Sequence, residues 1–131
     1  MNVENVLNAY EAAAWWSSNS ETDFAGGEPL DNYMAKHGTQ PSENCRAQMR
    51  EDVEAFLVAC ENASIDLSEC EPSQVGHDLW LTRNHHGVGF WDRDAATYGT
   101  AERRDALDRL AKGMGEVYLS VNTETNTVEH D

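Results

Sequence analysis

Lysine is nearly missing from this chain. The nine basic residues include only Lys36 and Lys112 as lysines, against 24 acidic residues, for a net charge of −15. That balance argues against direct binding to a phosphate backbone, an affinity supplied by Lys and Arg displacing counterions. An acidic field repels nucleic acid and attracts basic surfaces; it also suits solubility or life in high salt. Cysteine is scarce too, with Cys45, Cys60 and Cys70 showing no paired spacing, so neither a disulfide framework nor a zinc motif is expected. On one helix Cys45 and Cys60 would lie about 22 Å apart, beyond the roughly 4.4–6.8 Å a disulfide spans. Reduced, buried thiols in a cytoplasmic protein are the expected state. No apolar run approaches the roughly 20 residues of a membrane span. Met1-Asn2-Val3-Glu4 lacks the basic leader and apolar run of a secretory signal, so no membrane association is expected.

At 131 residues and 40% apolar composition, the chain predicts one domain with a modest core. Residues 1–75, with 14 acidic and 3 basic side chains, read as an acidic helical part; residues 76–131, with 10 and 6, read as a hairpin, helix and strand. Val3, Val6, Leu7, Tyr10, Ala13 and Ala14 fall on one stripe of a helix over 3–17, capped by Asn2. Trp15 and Trp16 end that stripe, so at most one can point straight into the core. Residues 18–40 are rich in breakers, with a helical turn expected from Asp31 to Lys36, closed by Gly38. The clearest helix spans 42–62. Ser42 caps it, Cys45, Met49, Val53, Phe56, Leu57 and Cys60 form its apolar stripe, and Arg46, Arg50, Glu51, Glu54 and Glu61 face water.

Beyond Pro72 the pattern changes. His77 to Arg83 alternates, with Leu79 and Leu81 opposite Asp78, Trp80 and Thr82; Asn84-His85-His86-Gly87 has turn chemistry, and Val88 to Arg93 returns. This spacing predicts a β-hairpin. A helix over 100–113 capped by Thr100, a strand over 116–122, and a short edge strand at Thr127-Val128 complete the reading. The expected fold is α+β: a small antiparallel sheet of about three strands with two to three helices packed on one face.

The stretch G-H-D-L-W-L-T-R-N-H-H-G-V-G-F-W-D-R, Gly76 to Arg93, holds three of the five histidines and two of the four tryptophans. Together with the Leu-rich helix and the strand G-E-V-Y-L-S-V, it resembles a family of small proteins encoded by bacteriophages and prophages. Their C-terminal part reads H-D-[FL]-W-L-T-R-N-x-H-G-x-G-F-W-D-R. The resemblance covers residues 76–121 and implies a phage-type origin and a cytoplasmic setting in the host. It assigns no catalytic residue. Small acidic proteins of such origin often block a host protein, restriction or CRISPR machinery included, which is an analogy of origin.

Three uses of the hairpin compete. His77, Asp78, His86 and Asp92 are candidate ligands for a divalent ion, although no zinc spacing accompanies them. His86 with Asp78 or Asp92 could serve as the acid–base pair of a small hydrolase, although no nucleophile motif is present. The third use is recognition. Trp80, Arg83, Asn84, His86, Trp91 and Arg93 would supply contacts, with Arg83–Asp92 or Arg93–Asp78 pairing across the strands, while Glu51, Asp52 and Glu54 steer a partner in. The leading expectation is a non-enzymatic, cofactor-free protein that binds a host protein's basic surface, in the manner of a DNA mimic. A metal-dependent or His/Asp hydrolase is the alternative.

Overall fold

The structure, a computed structural model, describes residues 1–18, 28–85 and 89–130. Among these are five α-helices: α1 (Val3–Ser17), α2 (Leu30–His37), α3 (Glu43–Asn62), α4 (Pro72–Arg83) and α5 (Ala101–Gly113). Two short 3₁₀ turns, Phe90–Asp92 and Ala95–Tyr98, join α4 to α5. Three strands, β1 (Gln40–Pro41), β2 (Leu119–Asn122) and β3 (Thr127–His130), form a sheet in the order β1-β3-β2. The α+β class is as expected, but the sheet is mixed: β3 runs antiparallel to β2 and parallel to β1. The strand expected at an edge is therefore the central one.

The caps anticipated from sequence form. Asn2 Oδ1 accepts from Asn5 N, Ser42 Oγ from Cys45 N, and Thr100 Oγ1 from Arg103 N, each satisfying a backbone donor left over in a first turn. Gly38 closes α2 in the left-handed region at φ 63°, where a side chain would be strained. Trp15 is half-buried and Trp16 exposed. Cys45, Cys60 and Cys70 are buried and unpaired, and burial pushes the Cys45 and Cys60 thiols up to about 12.

Among the described residues the predicted hairpin is absent; His86, Gly87 and Val88 of its expected turn and second strand lie outside them. Residues 77–83 lie in α4, which Pro72 opens at a first-turn position where its missing N–H costs nothing. This helix is buried on nearly every side, through Val75, Gly76, Asp78, Leu79, Trp80, Leu81, Thr82 and Arg83. A helix without a solvated face shows no 3.6-residue alternation of polarity. Its inward polar residues then mimic a period of two. The most extensive packing in the molecule is α1 against α4. Gly76 permits it, because a Cβ there would stand 2.0 Å from the Val6 carbonyl oxygen. The sheet is tied to the start of α3 where Ser42 Oγ donates to Glu129 and Ser42 N donates to the Val128 carbonyl.

Candidate functional site

The motif residues on α4 and the turns that follow form two layers, one facing inward and one facing out. Asp78 anchors the inner layer. It is 0% exposed and accepts from Arg93 Nε and Nη2 at 2.8–3.2 Å, from Gln74 Nε2 at 2.9 Å, and from the Tyr98 hydroxyl. The fork of Arg93 on both carboxylate oxygens is the strong, planar form of this pairing. Burial, and after it the charge of Asp78, pushes the Tyr98 phenol far above its ordinary value, so it stays a donor. The Arg93–Asp78 pair considered from sequence is present, but it joins a helix to a 3₁₀ turn rather than two strands.

Arg83 anchors a second cluster. Its Nη1 donates to Tyr10 Oη at 2.9 Å and Asp52 Oδ2 at 3.0 Å, its Nε to the Gly115 carbonyl at 2.9 Å, and its Nη2 to the Met114 carbonyl at 3.2 Å. Its acidic partner is thus Asp52 of α3 rather than Asp92. Asp52 also meets His130 Nε2 of β3 at 3.1 Å and accepts from Gln48. Burial raises the Asp52 carboxyl, but the His130 hydrogen bond, the Arg83 charge and Gln48 outweigh it and hold the group below its ordinary value. A carboxyl depressed in the folded state stabilises fully above its unfolded pKa, and that contribution fades as pH falls through the folded value. The protein should therefore lose stability below about pH 4. In urea unfolding at neutral and acid pH, Asp52→Asn is expected to flatten that loss; an unchanged pH dependence would show the Asp52 cluster to be unimportant.

Trp80, Thr82 and Asn84 are occupied as well. Trp80 packs edge-on to Tyr10 and donates from Nε1 to Ser17 Oγ at 2.8 Å. Thr82 Oγ1 accepts from Phe90 N at 2.9 Å, and Gly89 lies so close that a Cβ would stand 1.9 Å from that oxygen. Asn84 holds the Trp80 carbonyl with Nδ2 and accepts from Val117 N with Oδ1. Among the described residues, no buried side-chain nitrogen or oxygen lacks a partner.

The outer layer holds the remaining motif residues. Trp91 is 61% exposed on its 3₁₀ turn, with the Arg104 guanidinium 5.7 Å from its ring centroid, in cation–π range. Arg104 is itself fixed by donating to the Arg93 carbonyl at 3.0 Å. His85, at φ 57°, meets Glu116 at 3.2 Å. His85, Gly89, Trp91, Asp92, Asp108 and Lys112 border a cavity of about 300 Å³.

The expected site residues are thereby dispersed. Trp80 and Arg83 are buried and serve the interior, and Asp52 is partly buried with its carboxylate engaged by Arg83, His130 and Gln48. Asn84 is half-buried and likewise engaged. Glu51 and Glu54 stand exposed on α3, and Glu54 borders a different groove from Trp91. His86 lies outside the described residues. Among the described residues the metal set does not gather: His77 Nδ1 stands 3.5 Å from the buried Asp78 Oδ1 and borders a depression with Ser73 and Arg93, while Asp92 borders the Trp91 cavity. The hydrolase pairs rest on His86 and so lie outside the described residues. Among the described residues, no three His, Cys, Asp or Glu side chains gather as a metal site would require. The hydroxyl partner of Tyr10 and the roles of Tyr98, Arg104 and His130 escaped sequence reasoning. Each of these residues acts through a partner distant in sequence, which no local spacing signals. Among the described residues, no helix is long and apolar enough to cross a membrane. No family model, curated protein or solved structure matches the chain.

Proposed function

We propose that this is a phage-type acidic protein that acts by binding a host protein with a basic surface, of the kind that contacts nucleic acid, and so competes with that nucleic acid. Trp91 is the observation that carries the reading. A large aromatic is held out to solvent on a turn fixed at both ends, by Thr82 at Phe90 and by Asp78 at Arg93. Exposed Trp backed by Arg is the residue chemistry that dominates binding hot spots. The net charge of −15 supports the choice of partner, since it speeds encounter with a cationic surface and repels nucleic acid.

Capture of host DNA-binding and defence proteins on the immobilised chain tests the reading. Binding should fall steeply with added salt. Trp91→Ala should leave the fold intact and weaken capture by about 2 kcal/mol or more, roughly thirtyfold. Capture that ignores both salt and Trp91 would overturn the proposal.

A further inference from the structure

On α3, Glu54, Leu57, Val58 and Glu61 occupy positions i, i+3, i+4 and i+7, which place them on one stripe. That stripe is not the buried one, which runs through Cys45, Met49, Val53, Phe56 and Cys60. Together with the start of α1 and residues 65–68, it forms a groove of about 540 Å³. The apolar surface is incompletely covered: Val58 is 53% exposed and Met1 45%. Three carboxylates, Glu54, Glu61 and Asp66, border the groove, and among the described residues no Lys, Arg or His side chain lines it, although the charge of Arg103 reaches Asp66. Arg50, a neighbouring cation one turn away, is engaged by Glu4 at 2.6 Å.

We propose that this groove binds an amphipathic basic helix of a partner protein, its apolar face on Leu57 and Val58 and its cations on Glu54 and Glu61. Charge complementarity selects the occupant. The acidic rim repels anions, and a second copy of this chain would bring its own carboxylates against these. Glu54 and Glu61 lie about 10 Å apart along the helix axis, two turns. A helix with Lys at i and i+7 and Leu at i+3 and i+4 presents the matching pattern, the ordinary helix-in-groove mode. The site is distinct from Trp91 and stands or falls without it.

The probe is a synthetic helical peptide with that Lys/Leu pattern, titrated against the full chain by fluorescence anisotropy. Val58→Asp should weaken binding at least about tenfold, and Glu54→Gln/Glu61→Gln about tenfold at low salt, with a shallower salt dependence. Because Val58 is exposed, both variants should melt as the wild type does. Amide shifts should gather at Val58 and Ile65, and Trp91→Ala should bind the peptide normally. Failure of the peptide to bind, equal binding of a scrambled peptide of the same composition, indifference to Val58→Asp, or loss in Trp91→Ala would each overturn the proposal. Apart from the Trp91→Ala control, none of those results bears on capture through Trp91, which is read with host proteins instead.

Discussion

Replacing Arg83 with alanine is expected to destabilise the protein by about 3–5 kcal/mol, the range for removing one partner of a buried ion pair. Domains commonly have only about 5–15 kcal/mol of stability, so this variant should sit near the edge of folding at ambient temperature. The loss has several sources. Asp52 would keep Gln48 and His130 but lose its guanidinium, the Tyr10 hydroxyl would lose its donor, and the Met114 and Gly115 carbonyls would lose theirs. Arg83→Met fills the space but leaves the same groups unpaired, so it should recover little. Arg83→Met/Asp52→Leu removes both charges and should recover more, because two apolar groups of similar size tolerate burial better than one orphaned ion. Urea unfolding of Arg83→Met, Asp52→Leu and the double variant closes the cycle. A loss below about 1 kcal/mol for Arg83→Ala would mean the cluster is only decorative.

Asp78→Ala should be comparably damaging, again about 3–5 kcal/mol. Arg93, Gln74 and Tyr98 all aim hydrogens at this carboxylate, and His77 Nδ1 lies 3.5 Å from Oδ1. Asp78→Asn keeps the shape but turns one acceptor into a donor. It should nevertheless cost less than alanine, because the Tyr98 hydroxyl can turn and donate to the Gln74 carbonyl, 3.3 Å away. Arg93→Ala also strips the pair, but Arg93 is itself partly exposed, so its removal opens the carboxylate toward water and should cost less than Asp78→Ala. The turn that carries Trp91 starts at Phe90 and ends beside Arg93, so both changes at the Asp78–Arg93 pair should also loosen Trp91 and blunt partner capture. Thermal melting paired with capture measures the two effects together. An Asp78→Ala protein as stable as the wild type would contradict this account of the inner layer.

Helices with one wet face were legible in the sequence. α1, α3 and α5 announce themselves by a polar stripe opposite an apolar one and by Asn2, Ser42 and Thr100 at their starts. α2 is marked by Gly38. α4 was not legible by periodicity, because water touches so little of it; the surviving cue was Pro72 in its first turn. The position of β3 was hidden for a different reason. Its parallel neighbour is the two-residue β1, and Gln40 meets Thr127 across most of the chain. At the site, the likeness of residues 76–93 to a polar surface came from composition. His, Asp, Arg, Asn and Trp look like a binding face until burial shows that Asp78, Trp80 and Arg83 are structural. Trp91 alone of the two motif tryptophans remains available.

The guanidinium of Arg83 gathers groups separated from it by 73, 31 and 32 residues, and its partner Asp52 reaches 78 residues onward to His130. Loops of that span must close, at an entropic cost, before any of these bonds can form. The cluster is therefore expected to form late in self-assembly, and Arg83→Met should speed unfolding while leaving the folding rate nearly unchanged. A chain halted just short of it would be collapsed yet unlatched, with an ionised arginine and aspartate more hydrated than in the finished molecule. Time, rather than strength alone, separates this cluster from the helices it fastens together.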